Sequence, residues 1–104
     1  MSLRQEFMPK PAAATRSVVF EFLGELGAGE TISTQSVAAS VWSGTDASPS
    51  AMISGSASAS GTQVSQMLTG GVEGVVYNLT CTITTSTGQT LTKSGYLAIA
   101  PSLP

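Results

Sequence analysis

The sequence predicts an all-β fold, and three of its features carry that prediction. Apolar and polar residues alternate with a period of two in several segments, as they do in strands with one buried face. Stretches rich in glycine and serine, which favour turns, separate these segments. The length of 104 residues suits a single β-sandwich. We therefore expect one antiparallel β-sandwich over residues 16–104, preceded by an extended N-terminal arm over residues 1–15.

The first predicted strand covers residues 16–22, where Val18, Phe20 and Phe22 share one face. A glycine-rich bend follows. The next segment, 30–42, is long and extended, and it fits either one strand or a strand bent near Ala38–Ala39.

The middle of the chain, 43–62, consists almost entirely of serine, alanine and glycine. We expect loop there, apart from a short strand at 51–54. Alternation resumes at 63–68, where Val64, Gln66 and Leu68 share a face, and this predicts another strand.

The clearest pattern lies in residues 75–85, where apolar residues alternate with asparagine and threonine. Such alternation is typical of a half-buried antiparallel strand. A hairpin turn at 86–89, with Gly88 available for a positive φ, leads to a last strand over 89–99, which Pro101 ends. The residues expected to face inward are Tyr77, Leu79, Cys81, Ile83, Leu97 and Ile99.

The first fifteen residues differ in composition from the rest and show no strand alternation. Met1–Arg16 has three basic residues against one acid, a net charge of +2, whereas Ser17–Pro104 has one lysine against five acids, a net charge of −4. Because we expect no strand here, the segment is either a disordered tail or an arm that binds a neighbouring subunit. The partner-binding residues of such an arm are its apolar and basic side chains: Leu3, Arg4, Phe7, Met8, Lys10 and Arg16.

Few residues are available to build an active site. Histidine is absent, which removes the commonest general base and zinc ligand. Cys81 is the one cysteine and lies on an apolar strand face, so we expect a buried structural thiol. The acidic residues are scattered, and four basic residues are too few for a nucleic-acid-binding face. We therefore expect no catalysis, no cofactor or metal, and no nucleic acid, membrane or small-molecule substrate as a partner.

The surface chemistry favours a subunit of an assembly. Serine and threonine supply 29 residues, and only 10 residues are charged. Such a surface has weak electrostatic steering and little protection against association. It is tolerable where neighbouring proteins cover it.

Two aromatic residues are expected to be structural. Tyr77 stands near the start of its strand, after the turn that contains Gly74. It suits either a tyrosine corner, whose hydroxyl bonds to upstream backbone, or a plain core position. Trp42 closes the second extended segment; we place it in the core, with an exposed interface anchor as the alternative.

Two stretches resemble a known family. One is FEFLGELGAGETIS, and the other is LTGGVEGVVYNLTCTITTSTGQTLTKSGYLAI. In the second, a G-G-x-x-G-x-x-Y turn and strand precedes an I-T-T-x-x-G hairpin. Over residues 18–100 the chain resembles the immunoglobulin-like fiber–tail adaptor proteins of tailed bacteriophages. The residues that carry the resemblance are Gly70, Gly71, Gly74, Tyr77, Ile83, Thr84, Thr85 and Gly88.

The resemblance implies an immunoglobulin-like sandwich with a structural role in the virion. The chain would be an adaptor that joins the tail or neck to fibres or other appendages. Its partners would be other virion proteins, such as a tail or neck adaptor or a fibre, and copies of itself. It would assemble in the host cytoplasm and reside in the virion. Two alternatives stay open: a capsid decoration protein, and an immunoglobulin-like module that binds the host surface.

Overall fold

The computed structural model describes residues 5–6 and 10–100, and these form two β-sheets that make up a sandwich. The described residues contain eight strands and one short 3₁₀ helix. In chain order these are β1 (Gln5–Glu6), β2 (Lys10–Pro11), β3 (Thr15–Glu21), β4 (Ile32–Ser43), the 3₁₀ helix (Pro49–Met52), β5 (Ile53–Ser60), β6 (Gln63–Thr69), β7 (Val76–Thr85) and β8 (Thr90–Ala100). The fold is thus all-β, as expected. No helix in this part of the chain is long and apolar enough to span a membrane.

The strands divide into two sheets that are antiparallel apart from the short N-terminal strands. The front sheet has the order β1-β8-β7-β4, with β2 also paired to β8. The back sheet has the order β3-β6-β5. Since β4 follows β3 but lies in the other sheet, the chain crosses from one sheet to the other through the bend after β3.

The core lies between the sheets and confirms the predicted faces. All six residues expected to face inward are at most 2% exposed, whereas Thr80 and Thr82 between them point outward and are only half-buried. A slip of one residue would have reversed these faces. The core consists of Val18, Phe20, Phe22, Met52, Val64, Leu68, Val75, Tyr77, Leu79, Cys81, Ile83, Leu97 and Ile99.

The serine- and alanine-rich middle of the chain is more ordered than expected. A strand covers Ile53–Ser60, whereas only 51–54 was predicted as strand and the rest as loop. The prediction is wrong for residues 51–52, which belong to the 3₁₀ helix. This strand pairs with β6 but is irregular between Ser54 and Ser58, where Gly55 has φ +72°. The buried Gln66 amide donates to the Ser54 and Gly55 carbonyls at 3.0 and 3.2 Å, and so satisfies backbone groups beside the irregularity. Backbone pairing and this side chain replace the apolar pattern that the segment lacks.

The expectation that the N-terminal segment contributes no strand is wrong for four residues. Gln5–Glu6 lies opposite Gly95 and Tyr96, and Lys10–Pro11 lies opposite Ile99 and Ala100, both in parallel register on β8. An edge strand presents unpaired backbone groups that can pair with any extended segment, whatever its side chains. Proline is tolerated in such an edge position because its missing N–H can face away from the sheet.

Candidate docking surface

The outward-facing side of β4, β7 and β8 forms an uncharged surface, which we call the outer face. Alternation along each strand places serine, threonine, alanine, asparagine, valine and two aromatic residues there. No outward position of these three strands carries a charge. The residues of the outer face are Thr34, Ser36, Ala38, Ser40, Trp42, Val76, Asn78, Thr80, Thr82, Thr84, Thr90, Thr92, Ser94, Tyr96, Ala98 and Ala100.

Trp42 lies on this outer face, so the prediction that it belongs to the core is wrong. Its side chain is 59% exposed. Val37, Ala39 and Val41 take the inward positions of β4 and pack against the core, and strand alternation therefore turns Trp42 outward. The Trp42 ring contacts the Tyr96 ring with a centroid separation of 4.8 Å and a tilt of 53°. The two rings meet across β7 and form an aromatic patch on the outer face.

Hydroxyl groups on the outer face bond to each other between strands. Thr34 and Thr84 hydroxyls form a hydrogen bond between β4 and β7. Thr80 and Ser94 hydroxyls lie 3.2 Å apart between β7 and β8. Such cross-strand pairs fix rotamers and satisfy part of the hydrogen-bonding capacity of these groups. A partner that covers this face therefore has fewer polar groups to desolvate than the sequence alone suggests.

A pocket of about 300 Å³ opens at one end of the sandwich, and we call it the corner pocket. It lies between the loop that follows β4 and the loop that joins β6 to β7. The Asp46 carboxylate is the one charged side chain among the residues that line it. Those residues are Asp46, Ser48, Ala51, Met52, Thr69, Gly70, Gly71 and Val72.

Tyr77 fastens the two loops of the corner pocket to each other. Its hydroxyl donates to Asp46 Oδ2 at 2.6 Å and accepts a hydrogen bond from the Val72 N–H at 2.9 Å. The ring itself is fully buried. Tyr77 thus fills a core position and also makes the upstream backbone bond of a tyrosine corner, the two roles that the sequence left open.

The bonds around Asp46 act on two pKa values in opposite directions. The Tyr77 hydroxyl, and after it the Ser48 N–H at 2.9 Å, hold the pKa of Asp46 below its usual range because both donate to the carboxylate. Burial, reinforced by the bond to Asp46, raises the pKa of Tyr77. At neutral pH Asp46 is therefore a carboxylate, and Tyr77 behind it is a neutral phenol.

The described residues include two of those expected to bind partners, Lys10 and Arg16. Lys10 is buried within its own chain, where its Nζ donates to Gly70 O at 2.6 Å and Ala12 O at 3.4 Å. Burial, and after it the charge of Arg16, lower the pKa of Lys10. Because β2 pairs with β8, the Lys10 side chain lies against the loop after β6 and does not project into solvent.

Of the other residues expected to bind partners, only Arg16 lies in the described part of the chain. Arg16 is half-buried on β3, opposite Leu68. Leu3, Arg4, Phe7 and Met8 lie outside the described residues. The structural residue Cys81 is fully buried, as expected, and burial raises the pKa of its thiol to about 11.

Sequence reasoning missed Lys93, which joins the two sheets. Its Nζ donates to Glu21 O at 2.5 Å and Glu25 Oε1 at 2.9 Å, and lies 5.7 Å from the centre of the Phe22 ring. Lys93 falls on the inward side of β8, where an apolar residue is the rule. That mismatch was the one signal in the sequence, since charged side chains that point inward are typical of strands at the edge of a sheet.

Sequence reasoning also missed Asp46 and Tyr96. Neither belongs to a motif, and each acquires its neighbours from a distant part of the chain. Within the part of the chain that the structure describes, no three acidic or cysteine residues come close enough to form a metal site.

Comparison with known proteins identifies the family. The family model described as podophage GP4 fiber-tail adaptor protein gp77 matches residues 10–98, which include the aromatic patch, the corner pocket and every strand from β3 to β7. No curated protein and no solved structure matches the chain. Because the family match covers most of the sequence, the chain belongs to the podophage fiber–tail adaptor family, a family of structural proteins of the phage virion.

Proposed function

We propose that this chain is a virion adaptor that joins the phage tail to its fibres and that it docks on one of these proteins through the outer face. The family match over residues 10–98 is the observation that carries the proposal. The uncharged outer face with its aromatic patch supplies a surface suited to that role. Assembly in the host cytoplasm, followed by incorporation into the virion, is part of the same proposal.

We also propose that the sandwich is of the immunoglobulin type. Its strand order supports this, because β3 to β8 correspond in sequence to strands B to G, with B-E-D in one sheet and C-F-G in the other. Tyr77 then stands near the start of strand F, where immunoglobulin-like domains place a tyrosine corner. The first strand differs from the constant-type arrangement because β1 and β2 pair with the last strand.

The aromatic patch is expected to supply most of the binding free energy at the docking surface. Tryptophan and tyrosine are enriched among the residues that dominate binding energy at protein interfaces. An exposed tryptophan in a chain with so few charges gains from burial without the cost of desolvating an ionised group. The flat surface of serine and threonine around it can exclude water from the contact.

The N-terminal arm is a second proposed contact, and it includes fewer residues than the sequence predicts. Since Lys10 is anchored to its own chain, the partner-binding side chains would be Leu3, Arg4, Phe7 and Met8. They precede β2 in the chain and would bind a virion protein or another copy of this chain. The sandwich itself would remain with its own subunit.

Particle incorporation of a Trp42→Ala variant tests the docking surface. We expect incorporation to fall about tenfold or more, because loss of a dominant interface aromatic costs about 2 kcal/mol or more. Leu23→Ala is the matched control, since Leu23 is 68% exposed but lies in the bend after β3, away from the outer face. Thermal unfolding should show both variants folded.

A spectroscopic measurement tests the same contact without a substitution. Trp42 is the sole tryptophan of the chain, so a chain that contains 5-fluorotryptophan reports on this position alone. Its ¹⁹F resonance should shift and become protected from solvent when the chain joins particles made without it. Full incorporation of Trp42→Ala, together with an unchanged ¹⁹F signal, would exclude the outer face as the docking surface.

A further inference from the structure

We propose that the corner pocket receives a lysine or arginine side chain of the virion protein that docks on the aromatic patch. This inference rests on the proposed adaptor function and adds the chemistry by which the partner is recognised. Three properties of the corner pocket carry it: a fixed carboxylate, apolar walls of suitable size, and a position at the same end of the sandwich as Trp42.

The carboxylate of Asp46 is held in place before any partner arrives. Each of its oxygens accepts one hydrogen bond from the chain itself, Oδ1 from the Ser48 N–H and Oδ2 from the Tyr77 hydroxyl. An ionised carboxylate can accept about four hydrogen bonds, so capacity remains for a charged donor. Because these bonds fix the carboxylate, a partner loses less entropy on binding to it.

The walls of the corner pocket suit the aliphatic stem of a basic side chain. Ala51 and Val72 contribute exposed apolar surface, and Val72 is 43% exposed. Lysine and arginine bury such stems along apolar surfaces while the charged head reaches a polar group. The volume of about 300 Å³ lies at the lower end of small-molecule sites, which favours a single long side chain over a larger ligand.

The glycine loop gives the corner pocket its shape. Gly70 and Gly71 have φ of +68° and +102°. A Cβ at Gly71 would lie 2.8 Å from Ile99 Cδ1 and 3.2 Å from Met52 Sδ, so that side chains at this position are excluded. Behind the loop, Lys10 donates to Gly70 O on the buried side. This hydrogen bond holds the loop against the rest of the sandwich.

The corner pocket and the aromatic patch lie at the same end of the molecule. Trp42 stands at the carboxyl end of β4, four residues before Asp46, and Tyr96 stands near the carboxyl end of β8. The amino end of β7, with Tyr77, meets them there. A partner that covers Trp42 and Tyr96 thus reaches the corner pocket within the same interface.

The test compares incorporation of full-length variants into particles that lack the wild-type chain. Asp46→Asn should reduce incorporation about tenfold, because it removes the charge of a charge-assisted hydrogen bond. Glu73→Gln is the matched control, since it removes one negative charge from the loop between β6 and β7 at an exposed residue that does not line the corner pocket. It should be incorporated within about twofold of wild type after correction for the folded fraction.

A second pair of variants leaves Asp46 and Tyr77 intact. Ser48 is exposed at the rim of the corner pocket. Ser48→Arg should place a guanidinium of the chain itself beside Asp46 and block incorporation, whereas the uncharged Ser48→Gln should reduce incorporation less than Ser48→Arg does. This pair remains informative if Asp46→Asn does not fold.

The outcomes separate this inference from the adaptor function. If a folded Asp46→Asn variant or the Ser48→Arg variant is incorporated as well as wild type, the inference of a basic side chain in the corner pocket is overturned. A low incorporation of Trp42→Ala would in that case still support docking through the outer face. Equal losses for Asp46→Asn and Glu73→Gln would also overturn it, because they would show that negative charge in general matters and the carboxylate of the corner pocket does not.

Discussion

Gly71 and Tyr77 show how single residues fix one end of the sandwich. Gly71 must be glycine because its φ is positive and because a side chain would collide with Ile99. Tyr77 follows six residues later and joins the loop after β4 to the loop before β7. The G-G-x-x-G-x-x-Y pattern of the sequence therefore encodes a loop conformation and the tyrosine that holds it.

Cys81 is predicted to be a structural thiol with no role in assembly. It is buried between Leu79 and Ile83, and its thiol pKa is about 11. Native protein at pH 8 should therefore react with a thiol reagent only after denaturant unfolds it. Cys81→Ala should lower the free energy of unfolding by about 1 kcal/mol because of the small cavity.

A serine at the same position provides the comparison. Cys81→Ser should be less stable than Cys81→Ala, because a buried hydroxyl without a partner costs about 1–3 kcal/mol. Particle incorporation of the folded alanine variant should match wild type. A stable Cys81→Ala protein that fails to join particles would show that the thiol has a function.

At the level of elements, the N-terminal segment is divided at Lys10. Before it, β1 contributes two paired residues, and after it the chain crosses to the back sheet, where Ala12 packs against the core. The Lys10 Nζ donates a hydrogen bond to the Gly70 carbonyl and so holds the loop after β6. Residues 10–15 therefore contribute to the sandwich, in addition to the paired residues of β1.

Two deletions are expected to have different effects on stability. Removal of residues 1–9 should change the melting temperature little, since Lys10, Ala12 and all of β3 remain. Removal of residues 1–15 should lower the free energy of unfolding by at least about 1–3 kcal/mol, the cost of leaving the Gly70 carbonyl without its partner. Lys10→Met, which keeps the length of the side chain but removes the donor, should reproduce much of the larger loss.

Incorporation of the same deletions tests the arm. The chain without residues 1–9 should fold but join particles less well, because it lacks Leu3, Arg4, Phe7 and Met8. Wild-type incorporation of this shorter chain would leave the outer face as the proposed contact and reject the arm.

For the whole molecule, hydrogen-bonded carboxylates and one lysine hold together elements that are distant in sequence. Glu21 bonds to Thr62 and Gln63, Glu30 bonds to the Gly27 N–H and to Thr87, and Lys93 joins β8 to the bend after β3. The end of the sandwich opposite the corner pocket thus depends on polar contacts, which supplement a thin apolar core.

Acid is therefore expected to destabilise the fold. Bonds from the Thr62 and Gln63 side chains, in that order, lower the pKa of Glu21, and the Gly27 N–H makes the largest contribution to the lowered pKa of Glu30. A carboxyl whose pKa is lower in the folded state stabilises the fold fully above its unfolded pKa, and this stabilisation is lost as the pH falls through the folded value. The melting temperature should accordingly fall as the pH drops below about 4.5.

Variants at the Glu21 contact provide the check. Glu21→Gln and Thr62→Val should both lose less stability between neutral and acidic pH than wild type, since the first removes the titrating group and the second removes its main donor. An acid-induced loss equal to that of wild type in both variants would show that this contact does not contribute to the pH dependence.

The sequence by itself determined the strands with strong alternation and the face that each one buries. Tyr77, Leu79, Cys81, Ile83 and Leu97 are assigned to the core from the period alone, because a strand exposes alternate residues whatever it pairs with. The glycines of the turns and the absence of histidine were likewise readable without a structure. Family membership also followed from these local patterns.

Only the tertiary structure decided which elements meet. Strand β5 forms because β6 and the Gln66 side chain satisfy its backbone groups. Strands β1 and β2 form because β8 presents an open edge. None of these three strands has an apolar pattern of its own. Trp42 meets Tyr96, and Asp46 meets Tyr77, across 54 and 31 positions of the sequence. Local pattern specifies the face on which a side chain lies, but pairing between distant strands specifies its neighbours, and the candidate docking surface consists of such neighbours.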